Sequence, residues 1–322
     1  MAINILDIQP SAINRSLSGK SILLAGEPKI GKSEFCAQSP DTLILDFENG
    51  YNMHFGVKKV NVTKWSDVKL IVRQLEKAEA QTMYKNVVID TLNEAWDLCT
   101  DFICSQNSVQ KIKDIPYGQG YKDRDSEFAS TLRKIMNLGY GLIVTCHTKT
   151  SVIGTDGDID ITAIAPDLDK RCVPIINGLV DIMGMITKTW NKETQSWDRW
   201  LYTKSTPTIS AGTRLKYLAE KIPFGYAYLE DAVVQALEEN AKHGAQIIDG
   251  PTSAVEETIN FNKVRAEAQE LWTQLVTKDE NNAAIILKKI EMIMGHKMKL
   301  SEFSEDQADL LNLAVLEMRD MM

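Results

Sequence analysis

The feature that most constrains the fold is an octapeptide near the amino end of the chain, GEPKIGKS (Gly26–Ser33). It follows the apolar run Ser21–Ala25, precedes a stretch with helical spacing, and matches the pattern G-x-x-x-x-G-K-[ST] at every fixed position. Glycines let backbone N–H groups turn inward around phosphate oxygens, and the following helix presents its positive end to the same oxygens. The octapeptide therefore predicts a strand, a phosphate-binding loop and a helix, as in an α/β nucleotide-binding fold.

The loop also assigns roles to two of its side chains. Lys32 is expected to reach the β- and γ-phosphates and to assist their transfer, and the Ser33 hydroxyl is expected to ligate Mg²⁺. The residues predicted to bind the triphosphate are Gly26, Glu27, Pro28, Lys29, Ile30, Gly31, Lys32, Ser33 and Glu34.

The chain up to residue 230 alternates short apolar runs with amphipathic stretches, as a parallel sheet with helices between its strands requires. Strands are predicted at Ser21–Ala25, Thr42–Asp46, Lys85–Asp90, Gly141–Thr145, Leu179–Ile186 and Arg199–Thr203. Helices are predicted at Ser66–Gln81, with Ser66 as N-cap, and at Thr91–Ser105 and Ser126–Leu138. Crossover connections would place helices on both faces of the sheet.

The composition of the sequence changes at GAQIIDGPTS (residues 244–253), which contains two Gly, one Pro and few large residues and predicts a linker. Beyond it the apolar spacing is helical, and Ser304 to Gln307 form a capping-box pattern. The predicted domains are therefore a core at 1–240, a linker at 241–255 and a small helical module at 256–322. From Ala236 onward the chain has 9 basic and 16 acidic residues, so this tail carries a net −7 of the total −8.

Composition narrows the class of protein. Hydrophobic residues make up 44% and charged residues 25% of the chain, as in globular proteins with a core. No apolar run approaches the roughly 20 residues that cross a bilayer, so no membrane partner and a cytoplasmic location are expected. Five cysteines without C-x-x-C pairs predict reduced thiols. The net charge of the chain before Ala236 is close to zero, so this part can still carry a basic stripe that binds nucleic acid.

Three polar residues follow predicted strands, where they can act on a bound triphosphate. Asp90 ends the strand NVVID and is placed to hold Mg²⁺ and its water shell. His147 follows GLIVTC, where a side chain can sense the γ-phosphate. Glu48, in LILDFENG, is predicted to be the general base for the attacking water, whereas Asp46 is closer to the strand body.

GEPKIGKS, LILDFENG, VVIDT and VTCHTK, in that order, resemble the RecA-type ATPase core. More closely, they resemble the phage-encoded, RecA-like single-strand annealing ATPases of the Sak type, over residues 18 to 230. The resemblance implies a RecA-like P-loop core that uses ATP and Mg²⁺, with Asp90 as the Walker B acid and Glu48 as the catalytic base. His147 stands where RecA itself has Gln.

The resemblance also implies DNA and subunit contacts. The segment Thr148–Arg171 occupies the place of a mobile DNA-contacting loop, with Lys149, Lys170 and Arg171 as its basic residues; a surface excursion or β-hairpin is the alternative. Lys204, Arg214 and Lys216 are candidates to reach a neighbouring subunit's nucleotide, with ordinary surface bases as the alternative. In PYGQGYKDR, aromatic and basic residues suit unpaired bases, unless the tyrosines pack inward; these candidates are Tyr117, Tyr121, Lys122 and Arg124.

The expected function is an ATPase that assembles on single-stranded DNA as a ring or filament of identical subunits and promotes strand annealing or exchange. If the chain is phage-encoded, it would act in the host cytoplasm. The acidic tail would recruit a partner such as a single-strand DNA-binding protein, or serve as a dimerisation or solubility module. Two alternatives stay open: a nucleotide-gated loader with little turnover, and a small-molecule kinase. The arginines are scattered along the chain rather than clustered as in a kinase lid, which disfavours the kinase.

Overall fold

The structure is a computed structural model that describes residues 13–156, 159–244, 247–248 and 260–322. These residues form two compact units, one before residue 249 and the other from residue 260 onward. Most of the predicted linker, 241–255, lies outside the described residues, although a helix extends to Lys242. All five cysteines are described and are buried free thiols, as predicted.

The first unit contains a mostly parallel sheet, which confirms the predicted α/β class. In chain order the strands of this unit are β1 Ile13–Asn14, β2 Ser21–Ala25, β3 Thr42–Asp46, β4 Lys58–Asn61, β5 Asn86–Asp90, β6 Gly141–Cys146, β7 Thr148–Asp156, β8 Ile159–Pro166, β9 Ile182–Asn191, β10 Ser196–Tyr202, β11 Gly212–Thr213, β12 Lys221–Pro223 and β13 Ile247–Ile248. The order of strands in the sheet is β12-β10-β9-β2-β6-β5-β3-β4, with β11 also paired to β9. In this order the strands from β9 to β4 are parallel, and β10 runs antiparallel to β9 and β12.

Helices cover both faces of this sheet because successive strand residues point to opposite sides. The helices of this unit are α1 Lys32–Ala37, α2 Trp65–Leu75, α3 Ala78–Met83, α4 Leu92–Gln106, α5 Gln119–Asn137, α6 Cys172–Leu179 and α7 Tyr226–Lys242. Leu23 and Ala25 pack on the side of α2, α4, α5 and α6, whereas Ile22 and Leu24 pack on the side of α1 and α7.

Several predicted boundaries are wrong, for local reasons. Leu179 ends α6, and the strand begins only at Ile182. Residues 66–81 lie in two helices, and Ser66 is inside the first. The Asp67 carboxylate accepts the N–H of Lys64 at 3.2 Å, so the helix is capped at Lys64, two residues before the predicted cap. Helix α5 starts at Gln119, seven residues before the predicted Ser126.

The second unit consists of α8 Phe261–Lys278, α9 Asn282–Met294 and α10 Ala308–Arg319. The predicted apolar stripes meet in its core, where Ala268, Ile290 and Val315 are fully buried. The capping box before α10 forms as predicted, since the N–H of Ser304 donates to Oε1 of Gln307 at 3.1 Å. Across the described part of the chain, no helix combines the length and apolarity that crossing a membrane requires.

Candidate nucleotide-binding and hydrolysis site

The predicted phosphate-binding loop lies at the carboxyl end of β2 and leads into α1. Two of its positions require glycine. Gly31 has φ of 112°, and a Cβ there would overlap Nη1 of Arg199. A Cβ on Gly26 would lie 2.9 Å from Cγ2 of Ile30. Both glycines therefore keep the backbone of the loop compact and close to its neighbours, as a phosphate cradle needs.

We expect Gly31→Ala to lower the free energy of unfolding by about 1–3 kcal/mol, because alanine is strained at this φ and Arg199 must move. Nucleotide binding should weaken with it. Chemical denaturation and binding of a fluorescent ATP analogue would measure both effects. Gly178→Ala is the matched control, since a Cβ at Gly178, within α6, meets nothing within 4 Å. Equal stability of the two variants would contradict this account of the loop.

Lys32 is held inside the loop that it serves. Its ammonium donates to the carbonyl oxygens of Gly26 at 2.8 Å and Glu27 at 3.0 Å, and the residue is only 6% exposed. Burial lowers the pKa of Lys32, and the nearby Asp90 carboxylate opposes that shift. The side chain thus already points along the loop, with donors that can turn to phosphate oxygens.

Asp90 collects three hydroxyl groups at the end of β5. Its carboxylate accepts from Ser33 Oγ at 2.8 Å, from the Tyr51 hydroxyl at 2.7 Å and from Thr145 Oγ1 on β6. The contact between Ser33 and Asp90 joins the two residues predicted to hold Mg²⁺. Burial and the Asp90 charge raise the pKa of Tyr51 well above its usual value, so Tyr51 remains a hydrogen-bond donor to Asp90.

The donor set fits Mg²⁺ rather than a metal held by protein alone. Hydroxyl and carboxylate oxygens are the ligands this ion prefers, and it is commonly held by one or two protein groups together with substrate phosphates and water. The described residues contain no group of three or more His, Cys, Asp or Glu side chains that could hold a metal.

Glu48 is positioned by two neighbours. Thr91 Oγ1 donates to Glu48 Oε1 at 2.7 Å, and His147 Nε2 lies 3.4 Å from the same oxygen. Thr91 follows Asp90 directly, so the predicted base and the predicted metal ligand are linked through adjacent residues. The Glu48 side chain is about two-fifths exposed and can therefore meet water. The structure thus brings together Lys32, Ser33, Glu48, Asp90 and His147 around one loop.

Four residues at this site were missed by the sequence reasoning. Tyr51 and Thr145 donate to Asp90, and Thr91 orients Glu48. Arg199 on β10 donates through Nη1 to the carbonyl of Ile30 at 2.9 Å. Thr91 and Thr145 could have been identified as polar residues at the ends of apolar strands. Tyr51 and Arg199 reach the site through contacts between distant segments, which no local sequence pattern indicates.

One predicted DNA contact is corrected by the structure. Arg124 is 4% exposed, its guanidinium donates to Asp125, and it lies 4.0 Å from the ring centre of Trp96. A guanidinium so enclosed is unavailable to DNA. The prediction failed because Arg124 faces inward on α5, which begins before it.

The other DNA candidates lie on two segments that meet in space. Segment 148–171 forms the β7–β8 hairpin and the turn into α6, which is the alternative weighed from the sequence. Arg171 lies 5.2 Å from the ring centre of Tyr121 and donates to Asp125 at 3.0 Å. Tyr117 is fully exposed, Lys122 and Lys170 are exposed, and Lys149 lies 3.6 Å from Asp167.

Of the three candidates for a neighbour's nucleotide, Arg214 lies away from the loop of its own chain. Arg214 follows β11, which pairs with the start of β9, at the end of the sheet opposite the loop. Its guanidinium donates to Asp181 at 3.1 Å and to the carbonyl of Gly178 at 2.7 Å. Lys204 is half-buried just after β10, and Lys216 is exposed beside Tyr217.

The AAA domain family matches residues 18–215. The chain is 23% identical over 331 residues to the SPbeta prophage-derived uncharacterized protein YorG of Bacillus subtilis (strain 168), covering 100% of this chain and 99% of that protein.

Two solved structures are similar in part: flagellar accessory protein FlaH from Methanocaldococcus jannaschii and the KaiC-like protein PH0186 from Pyrococcus horikoshii OT3. FlaH is 10% identical, with a TM-score of 0.35 over 65% of this chain and 85% of its own. PH0186 is 12% identical, with a TM-score of 0.33 over 64% and 85%.

The family match spans more than half of the chain and includes the glycine loop, Glu48, Asp90 and His147. The loop, the oxygen donors for Mg²⁺ and the tethered carboxylate are the parts that nucleotide hydrolysis requires. The chain therefore belongs to the AAA domain family and is a P-loop ATPase.

Proposed function

We propose that this ATPase assembles on single-stranded DNA and couples ATP turnover to the annealing or exchange of strands, in the manner of the phage Sak-type proteins that it resembles. The observation that carries the proposal is the hydrogen bonding of one asparagine, Asn93. Its side chain contacts both the candidate γ-phosphate sensor and the base of an exposed hairpin. Hydrolysis and a surface that can meet DNA are thereby connected.

The connection begins on β6, where Thr145 donates to Asp90 and His147 follows the strand. His147 leads directly into the β7–β8 hairpin. The two ends of the hairpin meet there, because the N–H of Asp167 donates to the carbonyl of His147 at 2.8 Å.

Asn93, in the first turn of α4, joins both ends. Its Oδ1 accepts the N–H of His147 at 3.4 Å, and its Nδ2 donates to the carbonyl of Asp167 at 2.6 Å. Through these two contacts of Asn93, a movement of His147 toward or away from a phosphate would be passed to the hairpin base. This is the physical basis for a DNA affinity that changes with the state of the nucleotide.

The DNA surface that we propose lies beside the base of the β7–β8 hairpin. Exposed Lys122 and Lys170 offer phosphate contacts, and exposed Tyr117 offers a ring for stacking. Arg171 and Tyr121 hold the two segments together.

Within the catalytic step, each residue has one task. Lys32 turns from the carbonyls of Gly26 and Glu27 to the β- and γ-phosphates, and Glu48 accepts a proton from the attacking water. His147, in contact with Glu48, orients that carboxylate. Ser33 and Asp90 would hold Mg²⁺, which supplies charge neutralisation on the phosphates.

Assembly is part of the same proposal. Lys204, Arg214 or Lys216 would approach the nucleotide of the next subunit in a ring or filament, and Arg214 is the first choice because its guanidinium is forked and permanently charged. The helical unit at residues 260–322, which is acidic, would recruit a partner such as a single-strand DNA-binding protein.

The test compares ATP turnover with and without a single-stranded oligonucleotide. We expect several-fold stimulation by DNA in the unaltered chain and its loss in the double variant Lys122→Ala/Lys170→Ala, which removes the two proposed phosphate contacts. The slope of log affinity against log salt should become shallower by about 1.4, since each phosphate contact on a single strand contributes about 0.7.

The matched control is Arg73→Ala/Lys77→Ala, which removes the same charge from exposed positions at the end of α2 and the start of α3. Equal loss of DNA affinity in both double variants would contradict the proposed surface. Turnover that ignores DNA and consumes a small acceptor would identify a kinase, and ATP binding without turnover would identify a nucleotide-gated loader.

A further inference from the structure

The β9–β10 hairpin extends beyond the phosphate-binding loop. β9 pairs with β2 from Ile182 to Met185, and Met185 lies opposite Ala25, the last residue before the loop. β9 then continues for six more residues to Asn191, paired only with β10. At about 3.4 Å per residue, this two-stranded extension projects roughly 20 Å beyond the end of β2.

One face of the extension carries a ladder of cross-strand pairs, which we call the loop-side ladder. Its first pair is Ile186 with Leu201, which is buried in the core of the α1 and α7 side. The next pair on the same face is Lys188 with Arg199, and the last is Trp190 with Trp197. These pairs share a face because side chains alternate along a strand with a period of two.

The middle pair touches the phosphate-binding loop at two points. Lys188 Nζ lies 2.7 Å from a carboxylate oxygen of Glu27, and Arg199 donates to the carbonyl of Ile30. Lys188 Nζ also lies 6.0 Å from the ring centre of Trp197, which confirms that the tryptophan pair is on the loop side. The two tryptophans therefore follow, one step further out, the pair that contacts the loop.

The tryptophan pair is exposed. Trp190 is 44% and Trp197 58% exposed, and their rings pack edge to face with centroids 5.4 Å apart. Trp65 and Trp96, in contrast, are buried in the core. An exposed aromatic pair next to a binding loop offers free ring faces to a planar ligand.

We propose that Trp190 and Trp197 bind the base of the nucleotide whose phosphates lie in the Gly26–Ser33 loop. This inference rests on nucleotide binding by that loop. When the triphosphate is bound in the loop, the ribose and base extend away from it. Along the loop-side ladder, the charged pair comes closest to the loop and the tryptophan pair comes next. Lys188 and Arg199 suit the phosphate and ribose, and a tryptophan ring suits the base because every nucleobase has a π-face.

The proposal separates the base from the phosphates, and so does its test. Isothermal titration would measure the binding of ATP and of inorganic tripolyphosphate, which has no base, to the full chain and to Trp190→Ala/Trp197→Ala. We expect ATP to bind about tenfold more weakly to the variant, which corresponds to about 1.4 kcal/mol and is typical of one stacked base. Tripolyphosphate should bind equally well to both proteins.

Two further variants complete the comparison. Trp197→Phe, made as a single substitution, keeps an aromatic ring and should retain most of the ATP affinity of the unaltered chain. Trp200→Ala removes a tryptophan from the opposite face of β10, where Lys221 lies 4.3 Å from its ring centre, and should leave ATP binding unchanged. Thermal melts of all variants would identify any loss of folding.

Two outcomes would overturn the proposal. They are an unchanged ATP affinity in the double alanine variant and a parallel loss of ATP and tripolyphosphate binding. If single-stranded DNA binding were lost while ATP affinity stayed intact, the tryptophans would be assigned to DNA. Failure of the unaltered chain to bind either ATP or tripolyphosphate would instead contradict nucleotide binding by the loop, so the two failures are distinguishable.

Discussion

Replacing Lys32 with alanine is expected to lower the rate of ATP turnover by about 100-fold to 1,000-fold, the cost of removing one preorganised group that stabilises charge in a transition state. Lys32 is the side chain that the loop encloses, and its ammonium can exchange two backbone carbonyls for phosphate oxygens without leaving the loop. ATP affinity should fall as well, because the same charge binds the ground state. Release of inorganic phosphate and titration with a fluorescent ATP analogue would measure the two losses.

The control for this prediction is Lys77→Ala, which removes a lysine from an exposed position at the start of α3. It should turn over ATP like the unaltered chain. Because Lys32 is buried, a thermal melt must accompany the assay to separate lost catalysis from lost folding. If folded Lys32→Ala retained turnover within about twofold, Gly26–Ser33 would not be the hydrolysis site, since a single lost charge–phosphate contact costs far more.

The part of the fold that could be predicted from sequence is the part buried on both faces. Ser21–Ala25 and Thr42–Asp46 have the predicted bounds because a strand covered on both sides is a continuous apolar run with polar or turn residues at its ends. The same reasoning placed Asp90 and His147, which follow such runs. Polar side chains at the carboxyl ends of parallel strands can therefore be located from a single sequence.

What the sequence hides is set by pairing between distant segments. Arg199 contacts Ile30 only because β10 lies antiparallel to β9 with Lys188 opposite Arg199, a register that no local pattern encodes. Tyr51 reaches Asp90 from an irregular segment after β3, where neither spacing nor composition marks it. Arg124 shows the converse, since a basic residue next to tyrosines indicated DNA but instead packs on Trp96.

The same limit applied to helix boundaries. Ser66 has the composition of an N-cap, but Asp67 satisfies the N–H groups of Thr63 and Lys64 and so allows the helix to begin at Trp65. Trp65 in turn is buried and donates through its indole N–H to Glu127 on α5 at 2.9 Å. A long-range hydrogen bond thus favours a start that local propensity does not.

Replacing Glu48 with glutamine is expected to lower ATP turnover by about 100-fold or more while ATP binding stays close to that of the unaltered chain, because a general base contributes roughly 10²–10⁴ to rate and nothing to holding the phosphates. Glutamine has the size of glutamate, and its carbonyl oxygen can still accept the Thr91 hydroxyl. The geometry around Asp90 and Lys32 is therefore preserved, and the variant isolates the acceptance of a proton. Single-turnover hydrolysis and ATP titration would measure the two quantities separately.

Glu79→Gln, in the first turn of α3, is the matched control and should leave both quantities unchanged. Retained turnover in Glu48→Gln would remove Glu48 as the base and direct attention to His147, whose Nε2 lies 3.4 Å from Glu48 Oε1. Lost ATP binding, in contrast, would mean that Glu48 acts on the phosphates or their metal. Selective loss of turnover is expected because Thr91 holds the Glu48 carboxylate near Asp90, where Mg²⁺ would lie. Water can reach this carboxylate, whereas the phosphates are bound by other groups.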